Sequence, residues 1–144
     1  MATVFDVAKY ILVKKGSIST WKLQKLCYYS QAWHLAWTGN PIFDEDFEAW
    51  ANGPVCPELF YAHQGRFSIC AGDLLKGDPC HLTDDETDSI NVVLRDYGDM
   101  EPYALRELSH KEAPWKDARN GLPEGEKCRN VIRKESMGEY YGSL

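Results

Sequence analysis

Apolar positions fall at helical spacing along most of this chain, and clusters of turn-forming residues separate one stripe from the next. Val4, Val7, Ala8, Ile11 and Leu12 lie on one face of a 3.6-residue repeat. Thr3 with Asp6 has the spacing of a capping box, while Lys14, Lys15 and Gly16 predict the end, basic residues on the negative pole and a glycine for the left-handed cap. A second helix opens at Ser19 and stops at Thr38-Gly39-Asn40-Pro41. Leu23, Leu26, Cys27, Ser30, Trp33 and Trp37 make one face of it, yet Trp21, Tyr28, Tyr29, Leu35 and Ala36 lie off that face. So wide an apolar coverage predicts a helix enclosed on more than one side and central to the fold.

The pattern then changes from Phe47 to Tyr61. Phe47-Glu48-Ala49-Trp50 reads as a short strand, Asn52-Gly53-Pro54 as a tight turn, and Pro57 as the first position of a new helix that runs to His63 and Gly65. Residues before proline are pushed towards extended geometry, which biases Gly53 and Cys56 against helix and forces the reversal here. Asp44-Glu45-Asp46 fits the acidic tip of a hairpin or an irregular edge. Phe67 to Cys70 allows a strand. Thr83 to Glu86 is a full capping box ahead of Ile90, Val93, Leu94 and Tyr97, and a shorter helix follows from Pro102 to Ser109. Ser109 to Arg119 reads as a loop leading into one helical turn, Val131-Ile132 as a short strand, and Lys134 to Tyr141 as a last helix. The expected fold is mainly α, a single compact helical domain over residues 1–144 with a small antiparallel β element around 42–50.

Composition narrows the function classes. With 44% hydrophobic and 12% aromatic residues, including five Trp and eight Tyr, disorder is excluded and an aromatic-rich core or surface is expected. No apolar run approaches a membrane span and the amino terminus has no signal-peptide pattern, so the protein is expected in the cytoplasm with no membrane partner. Five cysteines with no Cys-x-x-Cys spacing fit reduced thiols. The net charge of -6 lies wholly in the second half: residues 1–72 carry six basic and six acidic groups, residues 73–144 ten and sixteen. That field repels phosphate backbones and makes nucleic acid a poor partner.

Reactive chemistry finds little support. Ser109, His110 and Asp117 supply the residue types of a hydrolase, but Ser109 and His110 are adjacent and no Gly-x-Ser-x-Gly elbow is present. Cys80-His81 and Cys56 with His63 lack metal-site spacing, and no phosphate-cradling glycine loop occurs. The segment Asp6 to Trp37 has the outline of a helix-turn-helix, yet the second helix is crowded with Leu and Trp where base-reading residues would stand. No catalytic residue, metal or cofactor is expected.

Five blocks, Asp6 to Leu12, Lys22 to Tyr29, Glu48 to Val55, Leu108 to His110 and Pro114 to Arg119, in this order resemble the Panacea antitoxin domain, also called the SocA-like or phage-associated GepA-like domain. The likeness spans roughly residues 5 to 141. It implies a mainly helical, non-enzymatic protein that neutralises a cognate toxin encoded beside it by direct protein–protein binding. The alternatives are an adaptor that delivers the toxin to a cellular protease and, behind it, a helix-turn-helix regulator or a small enzyme. Matching the blocks nominates Lys22, Lys25, Glu48, Trp50, Asn52, Gly53, Pro54, Val55, Pro57, Glu58, His110, Trp115 and Arg119 as partner-binding candidates. Trp50 also suits a core plug, Lys22 with Gln24 and Lys25 a solvated strip, and Lys25 with Glu48 an internal ion pair.

Overall fold

The longest helix is also the most enclosed. In the computed structural model, which describes residues 1–144, α1 spans Val4–Lys15, β1 Ile18–Ser19 and α2 Thr20–Thr38. Ten consecutive residues of α2, Leu23 to Ala32, are buried. At about 100° per residue such a run points in every direction, so α2 is the axis on which the other elements pack. Its ends follow the sequence: Ser19 Oγ accepts the Lys22 N–H at 3.0 Å, and Gly39 is left-handed at φ 78°. Trp37, placed inward by periodicity, is 49% exposed and stacks on Trp33 with ring centroids 5.3 Å apart. Gly16 has positive φ but ψ of -152°, so α1 ends outside the left-handed basin.

The chain continues through β2 (Phe47–Trp50), β3 (Gly53–Val55), α3 (Pro57–His63), β4 (Ser68–Ile69), α4 (Asp84–Tyr97), α5 (Pro102–Lys111), α6 (Ala113–Ala118), β5 (Val131–Ile132) and α7 (Lys134–Gly142). Helices α7 and α4 cover the most of α2, with α1 and α5 beside them. One cluster of 30 buried apolar residues draws on α1, α2, α4, α5, α6, α7 and the strands. The fold is mainly α-helical, as expected.

Two small antiparallel sheets complete it. Central β2 pairs with β3 on one side and β5 on the other, and β1 pairs with β4. Trp50 faces Gly53 across the first pair, so the hairpin turns at Ala51-Asn52, one residue earlier than the Asn52-Gly53-Pro54 turn read from the sequence. Pro54 sits within β3, an edge strand where its missing N–H costs no ladder bond. Asp44-Glu45-Asp46 is the irregular approach to β2, not a hairpin tip. Ser109 and His110 close α5 instead of lying in a loop.

Two glutamines fasten main-chain segments to α2. Gln24 Oε1 accepts the Cys56 N–H at 2.8 Å and its Nε2 donates to the Cys56 carbonyl at 3.2 Å. Gln31 does the same for the chain before β2, accepting from Ile42 N–H at 2.7 Å and donating to Phe43 O at 2.8 Å. Each side-chain amide thus satisfies backbone groups that burial would otherwise leave unpaired. Between the two glutamines in sequence, Tyr29 meets a buried carboxylate: one Glu112 oxygen accepts from Tyr29 OH at 2.6 Å and from Tyr141 OH at 2.7 Å.

Candidate functional site

The β2–β3 hairpin, the start of α2, α3 and the chain before β5 meet at one face. Trp50, half-buried at the end of β2, packs edge-on against Phe60 of α3 with centroids 4.9 Å apart, and Phe60 reaches Trp21 at 6.5 Å. Tyr61, 60% exposed, adjoins Phe60. Arg129 lies over the Trp50 ring at 5.6 Å and its Nη2 reaches the Tyr61 hydroxyl at 3.5 Å. Between them opens a cavity of about 380 Å³ lined by Trp21, Trp50, Ala51, Asn52, Lys127, Cys128 and Arg129. Beyond Trp21 the surface continues to Phe67, 81% exposed, whose carbonyl accepts the Thr20 N–H at 2.9 Å. Large aromatics and arginine are the residues that anchor protein interfaces.

Lys25 stands behind this face. It is buried, its Nζ has no hydrogen-bond partner, and it lies 5.2 Å from the Trp21 centroid. The expected pair with Glu48 does not form: Glu48 Oε1 accepts from Arg129 Nε at 3.0 Å and from Trp50 Nε1 at 2.8 Å. Gly53 is why Lys25 fits where it does. With φ at 113°, it presses against the lysine so closely that a Cβ there would lie 2.5 Å from Lys25 Cε and 3.1 Å from Ser109 Oγ. Burial, with the charge of Arg106, lowers the Lys25 ammonium from 10.5 to about 7. Gln24 and Lys25 are therefore not a solvated strip, since Gln24 is consumed by Cys56; Lys22 alone of that trio is partly exposed.

The second block is bound into the same hairpin from the other side. Trp115 is buried and its indole N–H donates to the Trp50 carbonyl at 2.8 Å. Arg119, 2% exposed, donates to the carbonyls of Ala49 at 2.8 Å, Pro123 at 2.9 Å and Glu126 at 2.6 Å, with its guanidinium 4.7 Å from the Trp115 centroid. His110 stacks on Trp115 at 3.9 Å and 7°, and its Nδ1 meets Glu124 Oε1 at 2.6 Å. Burial lowers the imidazole pKa against the raising pull of Glu124. Ser109 Oγ donates to the Arg106 carbonyl at 3.0 Å, so serine and histidine are committed to separate partners. Glu107, His110 and Glu124 bring one potential ligand atom each within 4.8 Å of one another. There the hydrogen bond from His110 holds the exposed Glu124 carboxyl below its ordinary pKa, with Arg106 and Arg119 adding to the effect.

The candidates thus divide by exposure. Lys22, Glu48, Trp50, Asn52, Pro57 and Glu58 have open surface, whereas Lys25, Gly53, Pro54, Val55, His110, Trp115 and Arg119 are buried. Asn52 accepts from Arg106 Nε at 3.3 Å. Sequence reading missed Trp21, Phe60, Tyr61, Lys127 and Arg129 as parts of this face. Only the strand pairing that brings residues 127–129 beside Trp50 exposes the connection; Trp21, off the apolar stripe at the first turn of α2, was the one available signal.

Residues 23–116 match a family model described as "Antitoxin SocA-like, Panacea domain", which makes this small helical scaffold an antitoxin domain by class. The chain belongs to that family. It is 32% identical over 132 residues to Antitoxin SocA of Caulobacter vibrioides (strain NA1000 / CB15N), a match covering 80% of this chain and 69% of the relative. No solved structure matches it significantly. No helix is long and apolar enough to cross a membrane.

Proposed function

We propose that this chain, acting as one domain in the cytoplasm, neutralises a cognate protein toxin by direct contact and performs no chemistry of its own. The contact surface is the face built on Trp21, Trp50, Tyr61 and Arg129, with Lys22, Glu48, Asn52, Pro57 and Glu58 at its margin. The observation that carries this reading is the clustering of half-buried Trp21 and Trp50 with exposed Tyr61 and Phe67 beside Arg129, held from behind by Trp115, Arg119 and Gln24. Such a surface buries apolar area on docking at small conformational cost. Lys25, Gly53, Pro54, Val55, His110, Trp115 and Arg119 serve it by fixing the hairpin.

Occlusion of the toxin follows from a face of this kind, with the acidic first turn of α4 (Asp84, Asp85, Glu86) adding a field that speeds encounter with a basic toxin. Co-expression with the protein encoded by the adjoining gene tests the reading. Wild-type chain should restore growth and co-purify with that protein, also in protease-deficient cells, while Trp50→Ala with Tyr61→Ala should do neither. Rescue that disappears when the proteases are removed would replace occlusion with delivery for degradation.

A further inference from the structure

We infer that the cavity between Trp21 and Trp50 receives an acidic side chain of the toxin, held by a cationic rim and by Lys25 behind the wall. This rests on the toxin-binding reading above and names the chemistry that the face selects. Both charged residues lining the cavity are basic, Lys127 and Arg129, and the rest of the lining is apolar apart from Asn52. On a chain of net charge -6 this is a local reversal of sign.

The second observation is Lys25 itself. Of its neighbours, the Trp21 ring is a wall of the cavity and Gly53 follows the lining residue Asn52, and its nitrogen is the one lysine nitrogen buried without a partner. The groups that act on it electrostatically are Arg106 from α5 and His63 from α3, neither an anion. A buried ammonium without a counter-charge is costly. A carboxylate arriving in the cavity supplies that charge where water is partly excluded and attraction is strong. Arg129 already shares Glu48, which leaves Lys127 as the unpaired cation of the rim and Lys25 as the buried amine that an arriving carboxylate would hold in its protonated form. A nucleic-acid strand fits less well: two rim cations neutralise few phosphates, and the whole-chain charge opposes a polyanion.

The test uses the purified full chain and the protein encoded by the adjoining gene, in a variant that permits its purification, with affinity read by calorimetry. Lys127→Glu and Lys25→Met should each weaken binding tenfold or more while thermal unfolding shows both variants folded. Arg95→Glu, the same kind of charge change on an exposed side chain of α4 outside the cavity, should change affinity less than threefold. A toxin variant with one interfacial Asp or Glu changed to Lys should recover affinity for Lys127→Glu. If wild-type chain fails to bind that protein at all, the toxin-binding reading falls and takes this inference with it. If wild type binds and both cavity variants bind equally well, the inference alone is overturned. Tighter binding of a single-stranded oligonucleotide at the cavity than of the toxin would also overturn it.

Discussion

Replacing Lys25 by Met should make the protein more stable, and the size of the gain should depend on pH. A fall in the ammonium pKa from 10.5 to about 7, at roughly 1.4 kcal/mol per tenfold change in proton affinity, means that folding with Lys25 in place costs on the order of 4 kcal/mol at pH 7. Methionine has a similar unbranched reach and no charge; loss of the cation's contact with Trp21 offsets about 1 kcal/mol. A net gain of about 3 kcal/mol is expected at pH 7. The sign with pH follows from proton counts. Between pH 7 and 10.5 the unfolded chain keeps its lysine proton while the folded chain has shed it, so the unfolded state binds more protons and wild-type stability rises with pH. From pH 7 to 9 that rise amounts to about 2 kcal/mol. Above pH 9 Cys56, pushed by burial up to about 12, begins to oppose it. Denaturant unfolding of both proteins at pH 7, 8 and 9 provides the comparison, with the gap expected to narrow to about 1 kcal/mol at pH 9. Parallel pH profiles, or a Met variant less stable than wild type at pH 7, would refute the placement of an unpaired ammonium in the interior.

Other substitutions probe the scaffold. Glu112→Ala should destabilise by about 3 kcal/mol in chemical denaturation, since two buried tyrosine hydroxyls lose their acceptor, whereas Glu112→Gln keeps an acceptor oxygen and should stay within about 1 kcal/mol of wild type. Arg119→Lys should cost about 3 kcal/mol, because an ammonium cannot span the three carbonyls that the planar guanidinium reaches; a melting temperature unchanged from wild type would count against that role. Gly53→Ala combines positive φ with a clash against Lys25 and should cost about 2 kcal/mol. Heteronuclear NMR of that variant should show shifts at Trp21 and Trp50 indoles as the turn moves off the lysine.

Much of the architecture was legible because local chemistry and tertiary packing agree. Ser19, Gly39 and Thr83 mark real helix ends, and the unusually wide apolar coverage of α2 correctly announced a central helix. What periodicity could not convey was how polar residues are spent. Gln24 and Lys25 look alike in a polar trio, yet one serves the Cys56 backbone and the other is left without a partner. The turn was misplaced by one residue because Gly53-Pro54 is a turn signal, and only an edge strand tolerates proline inside it. Arg119 and Trp115 are partner-binding candidates by the block match, while the structure buries both against the hairpin. The face itself joins residues 21, 50, 61 and 129, a proximity set by strand pairing and beyond the reach of any local pattern.

The paired glutamines of α2 have a further consequence for how such a protein changes over generations. Gln24 and Gln31 grip peptide groups of Cys56, Ile42 and Phe43, not their side chains. Grip of that kind is indifferent to which amino acid supplies the peptide unit. Neighbouring loops are therefore at liberty to change their outward side chains while remaining moored to the same helix.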